Sequence, residues 1–132
     1  MQVQASGKAS VVTGVGTQGQ GHFTSFAQLV ADQLGVDVRD VEVVTGDTDL
    51  FHWGTGTFAS RGAVVAGNAI NQAAGIVRQK ILDLAGEVLD AGEEELVLAN
   101  GEVSVKTGYP RSIKLGDLAG KANPTRGAVK PG

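Results

Sequence analysis

The segment Gly14-Val-Gly-Thr-Gln-Gly-Gln-Gly-His-Phe-Thr24 decides the fold of this chain, because it joins an apolar strand pattern, Ala9–Thr13, to an amphipathic helix pattern. It holds four glycines within eight residues, and glycine tolerates positive φ and lets a ligand approach the backbone closely. The free N–H groups at the start of the following helix favour an anion such as phosphate. Gln20 lies between two glycines and offers both a donor and an acceptor to the edge of a heterocycle. The loop therefore predicts a site for a phosphorylated cofactor that contains a ring.

Strands and a helix are predicted on both sides of this loop. Apolar residues recur at helical spacing over Phe23–Leu34, and Gly35 predicts the end of that helix. Before the loop, Gln2–Ala5 and Ala9–Thr13 predict a short hairpin. After the helix, Val41–Thr45 predicts a further strand. The first part of the chain is thus expected to alternate between strand and helix around the glycine-rich loop.

A second loop, Phe51–Gly62, is also rich in glycine and leads into a longer helix pattern. We expect Ser60 to cap the N-terminus of this helix, which is predicted to end near Ala91. Gly67 and Ala74 are small residues on its apolar stripe, which predicts close contact with a neighbouring element. Because each loop leads into a helix N-terminus, the two loops are expected to meet at one ligand.

The last part of the chain predicts a hairpin, a short helix and a tail. The hairpin Leu96–Lys106 turns at Asn100-Gly101, and Asn-Gly is the strongest short signal for such a turn. Ser112–Ala119 is predicted to be a short helix. The expected fold class is therefore α+β, with short strands and a hairpin packed with one medium and one long helix. We expect residues 1–120 to form one partial domain and residues 121–132 to be a linker-like tail.

Composition excludes several classes of protein. At 132 residues the chain is one domain or a piece of a larger one. Its net charge of −3 argues against nucleic-acid binding, which requires a basic face. It contains no cysteine, which excludes disulfides, thiolate zinc sites and iron–sulfur clusters on this chain. No apolar run is long enough to span a bilayer and no signal-peptide pattern precedes the first strand, so we expect a cytoplasmic protein.

The first loop also contains the pattern Gly14-x-Gly16-x-x-Gly19, which occurs in dinucleotide-binding folds. Those folds place an acidic residue about twenty residues later, whereas Asp47 lies too far along the chain. A hairpin also stands where a third strand–helix unit is needed, so a Rossmann fold is disfavoured. A tight strand-to-helix connection without a ligand is the other alternative, although one or two glycines would suffice for it.

Several other loop residues have structural alternatives to a binding role. Trp53 and Phe58 are either core aromatics or part of a site, and Arg61 is either a solvated cation or a binding residue. His22 and His52 are the only histidines and lie thirty residues apart. A hydrogen-bonded loop histidine is therefore favoured over a metal site made of both.

The acidic residues show no catalytic pattern. Asp47 and Asp49 flank a threonine in a turn, where carboxylates commonly accept hydrogen bonds from backbone N–H groups. Glu93–Glu95 is predicted to be a solvated helix exit. No Ser/His/Asp arrangement or paired carboxylate is recognisable. The residues therefore predict a binding platform, with no catalytic and no metal-ligating side chain.

One ordered set of residues spans most of positions 9 to 90 and includes both loops. It consists of Gly19-Gln-Gly-His-x-Thr24, Ala27-Gln28, Ala31-Asp32, Leu34-Gly-Val36, Val41-x-Val43, Gly46-Asp-Thr48, Gly56-Thr-x-Ala-Ser-Arg61 and Gly67. This set resembles the molybdenum hydroxylases of the xanthine dehydrogenase superfamily, and most closely the large subunit of aerobic carbon monoxide dehydrogenase-type enzymes.

The resemblance implies a molybdenum–molybdopterin cofactor, in the cytosine dinucleotide form of most bacterial members. The family's Gly-Gln-Gly loop and its Thr-x-Ala-Ser segment contact this cofactor. In this chain they correspond to Gly19, Gln20 and Gly21, and to Thr57, Phe58, Ala59 and Ser60. The family's reaction is hydroxylation of a carbon, or oxidation of carbon monoxide, with oxygen taken from water.

The chain departs from this family in two ways. The family's large subunit is several times longer, and its catalytic glutamate lies in a Gly-Glu motif near the C-terminus that has no match here. Gly86-Glu87 and Gly92-Glu93 lie on or beside the long helix and do not correspond to it. The loop with the active-site cysteine of the carbon monoxide enzymes is also absent. We therefore predict an internal fragment of a larger molybdopterin-binding domain that is inactive alone.

The resemblance also implies partners. The remainder of the large subunit, together with flavin and iron–sulfur subunits, is expected to complete the enzyme. The fragment is expected to self-associate through apolar faces that the remainder would cover. Two alternatives stay open, namely an independent phosphate- or nucleotide-binding module and a structural remnant without cofactor.

Overall fold

The computed structural model describes residues 1–54 and 56–122, which form two three-stranded sheets packed with helices. The strands and α-helices, in chain order, are β1 (Gln2–Val3), β2 (Ala9–Thr13), α1 (His22–Leu34), β3 (Val41–Thr45), α2 (Asn68–Leu89), β4 (Leu96–Ala99), β5 (Glu102–Val105), β6 (Ser112–Lys114) and α3 (Leu115–Lys121). This architecture confirms the predicted α+β class. The predicted tail lies outside the described residues from position 123 onward.

The first sheet has the order β1-β2-β3, with β1 antiparallel to β2 and β3 parallel to it. A parallel pair needs a crossover, and α1 supplies it between the two strands. The apolar stripe of α1 is buried from Phe26 to Leu34, whereas Phe23 at its predicted start is half exposed. Gly35 ends the helix in the left-handed conformation, with φ of 61°, as predicted.

The two long helices pack closely through small residues. Ala74 of α2 is completely buried, and a Cβ on Gly67 would lie 3.6 Å from the Cδ1 atom of Leu29 on α1. Beside this contact the Gln33 amide donates a hydrogen bond to the Asn71 side chain at 2.8 Å. The predicted close approach at the small residues is therefore confirmed.

The second sheet has the order β4-β5-β6 and is antiparallel throughout. The β4–β5 turn at Asn100-Gly101 has positive φ at both residues, as the Asn-Gly signal predicted. The helix predicted over Ser112–Ala119 is wrong at its start, because Ser112 to Lys114 pair with β5 as an edge strand. The helix α3 begins only at Leu115, which is 1% exposed and belongs to the core.

The start of the long helix also differs from the prediction. Ser60 does not cap it, because Ser60 is left-handed with φ of 59°, whereas a capping residue has an extended backbone. A π-helical segment, Gly62–Gly67, comes first and continues into α2. The helix ends at Leu89, and the left-handed Asp90 donates its backbone N–H to the Gly86 carbonyl. Among the helices in the described residues, none is long and apolar enough to cross a membrane.

Candidate functional site

The two glycine-rich loops begin at the same edge of the first sheet. Loop 1 (Gly14–Gly21) joins β2 to α1, and loop 2 (positions 46–54 and 56–61) joins β3 to the π-helical segment. Because β2 and β3 are parallel and in register, with Thr13 opposite Thr45, both chains leave the sheet at its C-terminal edge. In open sheets with parallel strands, ligands bind at this edge. The crossover through α1 thus places both loops side by side.

The loops touch each other through glycines and one hydroxyl group. The Thr57 hydroxyl of loop 2 donates a hydrogen bond to the Gly16 carbonyl of loop 1. A Cβ on Gly14 would overlap the Phe51 ring, and a Cβ on Gly54 would overlap the Gly14 carbonyl oxygen. Both glycines are therefore required for this close approach, and the two loops form one surface, as their shared pattern predicted.

A third contact joins the helix starts behind the loops. His22, the first residue of α1, is only 6% exposed, and its ring stacks on Phe26 at a centroid distance of 5.0 Å. A Cβ on Gly62 would overlap the imidazole of His22. Within the described ranges the Nδ1 atom of His22 has no hydrogen-bond partner. The predicted hydrogen-bonded loop histidine is therefore wrong for His22, which is instead a buried spacer between the two helix starts.

Backbone conformation distinguishes the residues that the family resemblance assigned to the site. Gly19 and Gly21 of loop 1 have φ of 91° and 74°, and the described residues place no contact within 4 Å of the Cβ position of either residue. Ala59 and Ser60 of loop 2 have φ of 50° and 59°, which is strained for residues with a Cβ. Such strain costs about 1–3 kcal/mol for each residue and clusters at ligand sites. The π-helical segment that follows is also frequent at functional sites.

The Gln20 side chain is oriented by its own loop. Its Oε1 atom accepts a hydrogen bond from the backbone N–H of Gln18 at 2.5 Å. In the part of the chain that the structure describes, the Gln20 amino group donates to no other residue. The side chain is exposed, so it presents a fixed amide with a free donor beside the helix start.

The aromatic residues of loop 2 lie at the surface. Trp53 is 71% exposed and Phe58 is 55% exposed, so the alternative that they are core residues is wrong. The guanidinium carbon of Arg61 lies 5.2 Å from the centroid of the Phe58 ring, which is a cation–π contact. At the other end of loop 2, the Asp47 carboxylate accepts hydrogen bonds from the N–H groups of Asp49 and Leu50, as the turn predicted.

Residues 1–130 match the family described as molybdopterin cofactor-binding domain. The chain is 35% identical over 119 residues to the nicotine 6-hydroxylase large subunit of Paenarthrobacter nicotinovorans, which covers 90% of this chain and 15% of that protein. It is 34% identical over 122 residues to the carbon monoxide dehydrogenase large chain of Hydrogenophaga pseudoflava, which covers 92% of this chain and 15% of that one.

Solved structures show the same fold. Quinoline 2-oxidoreductase from Pseudomonas putida 86 matches with a TM-score of 0.81 and 38% identity, over 98% of this chain and 16% of that one. The fold and the matched family thus define a molybdopterin cofactor-binding region. The chain belongs to the molybdopterin cofactor-binding domain family. It spans 15% of the length of each of the two curated relatives named above, so it corresponds to one part of each of those longer proteins.

These comparisons confirm the resemblance to the molybdenum hydroxylases and the molybdenum–molybdopterin cofactor. Among the described residues no cluster of three His, Cys, Asp or Glu side chains could hold a metal ion. Sequence reasoning missed the contact of His22 with Gly62, because the two positions are forty residues apart. The only feature of the sequence that pointed to this contact was the glycine at the start of the long helix.

Proposed function

We propose that this chain supplies two cofactor-binding loops to the large subunit of a molybdenum hydroxylase-type oxidoreductase. The residues that would hold the cofactor are Gly19, Gln20 and Gly21 of loop 1 and Thr57, Phe58, Ala59 and Ser60 of loop 2. The observation that carries the proposal is the hydrogen bond from Thr57 to Gly16, which joins the loops beside two strained, exposed residues.

The chemistry of these residues fits such a cofactor. The Gln20 amide has a free donor for the edge of a pterin ring, and the open left-handed glycines on either side let that ring approach the backbone. Each loop leads into a helix start whose N–H groups favour phosphate. A dinucleotide form has two phosphates and a second ring, and two such loops support the cytosine dinucleotide form. The bound cofactor supplies the redox chemistry, and this chain binds and orients it.

The remaining parts of the proposal concern the whole subunit. Its reaction would be hydroxylation of a carbon, or oxidation of carbon monoxide, with oxygen from water. The carboxylate base, the flavin and iron–sulfur subunits and most of the substrate pocket would come from outside this chain. Residues 1–120 would belong to the cofactor-binding domain and residues 121–132 would link it to the next segment. We place the enzyme in the cytoplasm and expect the isolated 132-residue chain to be inactive.

The first test is Gln20→Ala in the full-length subunit. A buried pterin edge would lose its partner, at a cost of about 1–3 kcal/mol, which weakens cofactor binding by about 5- to 150-fold. Molybdenum per subunit is measured by mass spectrometry, and acid release of cytidine monophosphate reports the dinucleotide form. Gln72→Ala, at an exposed position of α2, is the control and is expected to keep its molybdenum. Unchanged molybdenum in Gln20→Ala would remove Gln20 from the site.

An independent nucleotide-binding module is the second candidate, because the loops contact each other within this chain alone. Titration of the isolated chain with cytidine or adenosine nucleotides, followed by the fluorescence of Trp53, tests it. Saturable binding in the micromolar range would favour the module. A full-length subunit that purifies without molybdenum would instead favour the structural remnant.

A further inference from the structure

The long helix begins with a segment whose hydrogen-bond register differs from that of the rest. Gly62–Gly67 is π-helical, with bonds between residues five apart, whereas Asn68–Leu89 is α-helical, with bonds between residues four apart. The π-helical segment begins two residues after Ser60, which is strained together with Ala59. The register therefore changes between the proposed cofactor residues of loop 2 and the helix that carries them.

Apolar packing contributes little to this register. Val64 and Val65 of the segment are 61% and 51% exposed. Its buried residues are two glycines and one alanine, namely Gly62, Ala66 and Gly67. Glycine and alanine remove little apolar surface from water when they are buried. Because π-helices are much rarer than α-helices, a segment of this composition relies on specific contacts and hydrogen bonds to keep its register.

Asn68 supplies such a hydrogen bond at the junction of the two registers. In an α-helix the Val64 carbonyl accepts from the backbone N–H of the residue four positions later, which is Asn68. Here the Val64 carbonyl accepts from the side-chain amide of Asn68, with 2.6 Å between Nδ2 and the oxygen. The backbone N–H of Asn68 donates to the Val65 carbonyl. The side chain thus stands in for the α-helical backbone donor, which favours the π-helical register.

The register decides which way loop 2 faces. Successive residues of an α-helix are about 100° apart around its axis, so conversion of Gly62–Gly67 to an α-helix would turn the chain before it by about that angle. Gly62 would then leave the His22 ring, and the Thr57 hydroxyl would leave the Gly16 carbonyl. The contacts that join loop 2 to loop 1 and α1 therefore depend on the π-helical register.

We propose that Asn68 is a positioning residue for the cofactor site. Through the Val64 carbonyl it holds Gly62–Gly67 in the π-helical register, and that register presents residues 57–60 of loop 2 to the cofactor. Asn68 acts through the backbone of the segment and not by touching the cofactor. This inference rests on the proposed function, because it takes residues 57–60 to bind the cofactor.

Asn68→Ala tests this role, because alanine is a better helix former than asparagine. An exposed asparagine without such a role would be replaced at a gain in helix stability. In the 132-residue chain we expect the amides of residues 57–67 to exchange with solvent about fivefold faster in Asn68→Ala, the factor of one typical hydrogen bond. The amides of residues 74–85 are expected to exchange as slowly as in the wild-type chain, which shows that α2 remains folded.

Three further variants separate the hydrogen bond from the size of the side chain. A serine hydroxyl can donate to the carbonyl four residues before it, so Asn68→Ser is expected to restore slow exchange. Asn68→Asp keeps the size of the side chain, but an ionised carboxylate has no donor, so exchange should be at least as fast as in Asn68→Ala. Gln72→Ala, at an exposed position of the same helix, should exchange like the wild-type chain.

Retention of molybdenum in the full-length subunit tests the link to the cofactor. The subunit is dialysed, and molybdenum per subunit is followed over time by mass spectrometry. We expect Asn68→Ala and Asn68→Asp to lose molybdenum about fivefold faster than the wild-type subunit. Asn68→Ser and Gln72→Ala are expected to lose it at the wild-type rate. This measurement does not depend on the activity of the enzyme.

The two measurements fail in different ways. Unchanged exchange of residues 57–67 in Asn68→Ala, or exchange in Asn68→Ser as fast as in Asn68→Ala, would overturn the role of the hydrogen bond. Faster exchange with unchanged retention of molybdenum would overturn the positioning role and leave the proposed function intact. Faster exchange in the chain, with no molybdenum in the wild-type full-length subunit, would support the role of Asn68 in the register and overturn the proposed function.

Discussion

Loop 1 and loop 2 reach the same surface by different physical means. Loop 1 uses glycine at its left-handed positions, Gly19 and Gly21, so its shape costs little conformational energy. Loop 2 holds Ala59 and Ser60 in the same region of φ, where a Cβ is unfavourable. The comparison shows that loop 1 is shaped by its own residues, whereas loop 2 is held in shape by its surroundings.

Loop 2 contacts loop 1 and α1 at three points. Its Thr57 hydroxyl is bonded to Gly16, its Phe51 ring lies beside Gly14, and Gly62 at its end lies against His22. Strain of a few kcal/mol persists only where neighbouring contacts outweigh it. Loop 2 is therefore expected to lose its conformation whenever its contacts with loop 1 and α1 are disturbed.

The largest loss of stability is expected for Gly62→Ala, which disrupts the contact between the end of loop 2 and α1. The new methyl group would overlap the His22 ring, and overpacking of this kind costs up to about 3 kcal/mol. Urea unfolding measures the free energy of unfolding, and Trp53 fluorescence reports on the conformation of loop 2. Gly16→Ala is the control, because in the described part of the chain no contact lies within 4 Å of that Cβ position.

A double-mutant cycle sharpens this prediction. His22→Ala removes the ring that the new methyl group would meet, so Gly62→Ala should cost at least about 1 kcal/mol less in that background. Additive effects of the two substitutions would show that His22 does not act as the spacer between the helix starts.

The next largest effect concerns the helices that carry the loops. Gly67→Leu would force a side chain against Leu29 and is expected to destabilise the chain by about 2 kcal/mol. Gly75→Leu on the same helix is expected to be neutral or stabilising, because glycine is a poor helix former and no contact of the described residues lies within 4 Å of the Cβ position there. Calorimetry compares the two, and equal melting temperatures would mean that the face around Gly67 is open.

A smaller effect tests the difference in strain directly. Gly21→Ala places a Cβ at a left-handed position and is expected to destabilise loop 1 by about 1 kcal/mol. Ser60→Gly removes a Cβ from such a position and is expected to stabilise by about 0.5 kcal/mol, after the entropy gained by the unfolded chain is subtracted. Thr17→Gly, outside the left-handed region, serves as the control and should destabilise. Stability changes of the same sign for Gly21→Ala and Ser60→Gly would contradict the difference in strain between the two loops.

An effect of similar size is expected for Thr57→Val, which removes one hydrogen bond between the loops. A typical intramolecular hydrogen bond contributes about 0.5–1.5 kcal/mol, so the loss of stability should be about 1 kcal/mol. Thr24→Val, at an exposed position of α1, is the matched control. A faster exchange of the loop 2 amides in Thr57→Val, and not in Thr24→Val, would confirm that loop 1 holds loop 2.

Elements with a local cause could be predicted from the sequence. The apolar stripe of α1 and its end at Gly35, and the hairpin turn at Asn100-Gly101, follow from spacing and from the φ that glycine permits. The small residues Gly67 and Ala74 likewise indicated a close helix contact, since a stripe of small side chains has few other uses. These signals lie within a few residues of the structure that they produce.

Features with a distant cause could not be predicted in this way. The strand β6 exists because Ser112 to Lys114 meet the open edge of β5, and a pattern of three residues does not reveal that edge. Serine is a preferred N-cap residue, but Ser60 has a left-handed backbone in loop 2, which the residue type alone does not reveal. His22 lies in a glycine-rich loop sequence, yet its stack on Phe26 and its contact with Gly62 bury it.

The sequence by itself determined the α+β class, the two glycine-rich loops and the family to which they belong. Each of these depends on residue types at fixed short spacing, where backbone sterics and hydrophobic periodicity act locally. Only the tertiary structure decided that the loops form one surface and that Trp53 and Phe58 are exposed. Those properties depend on which distant segments share the space around a residue, and no local pattern contains that information.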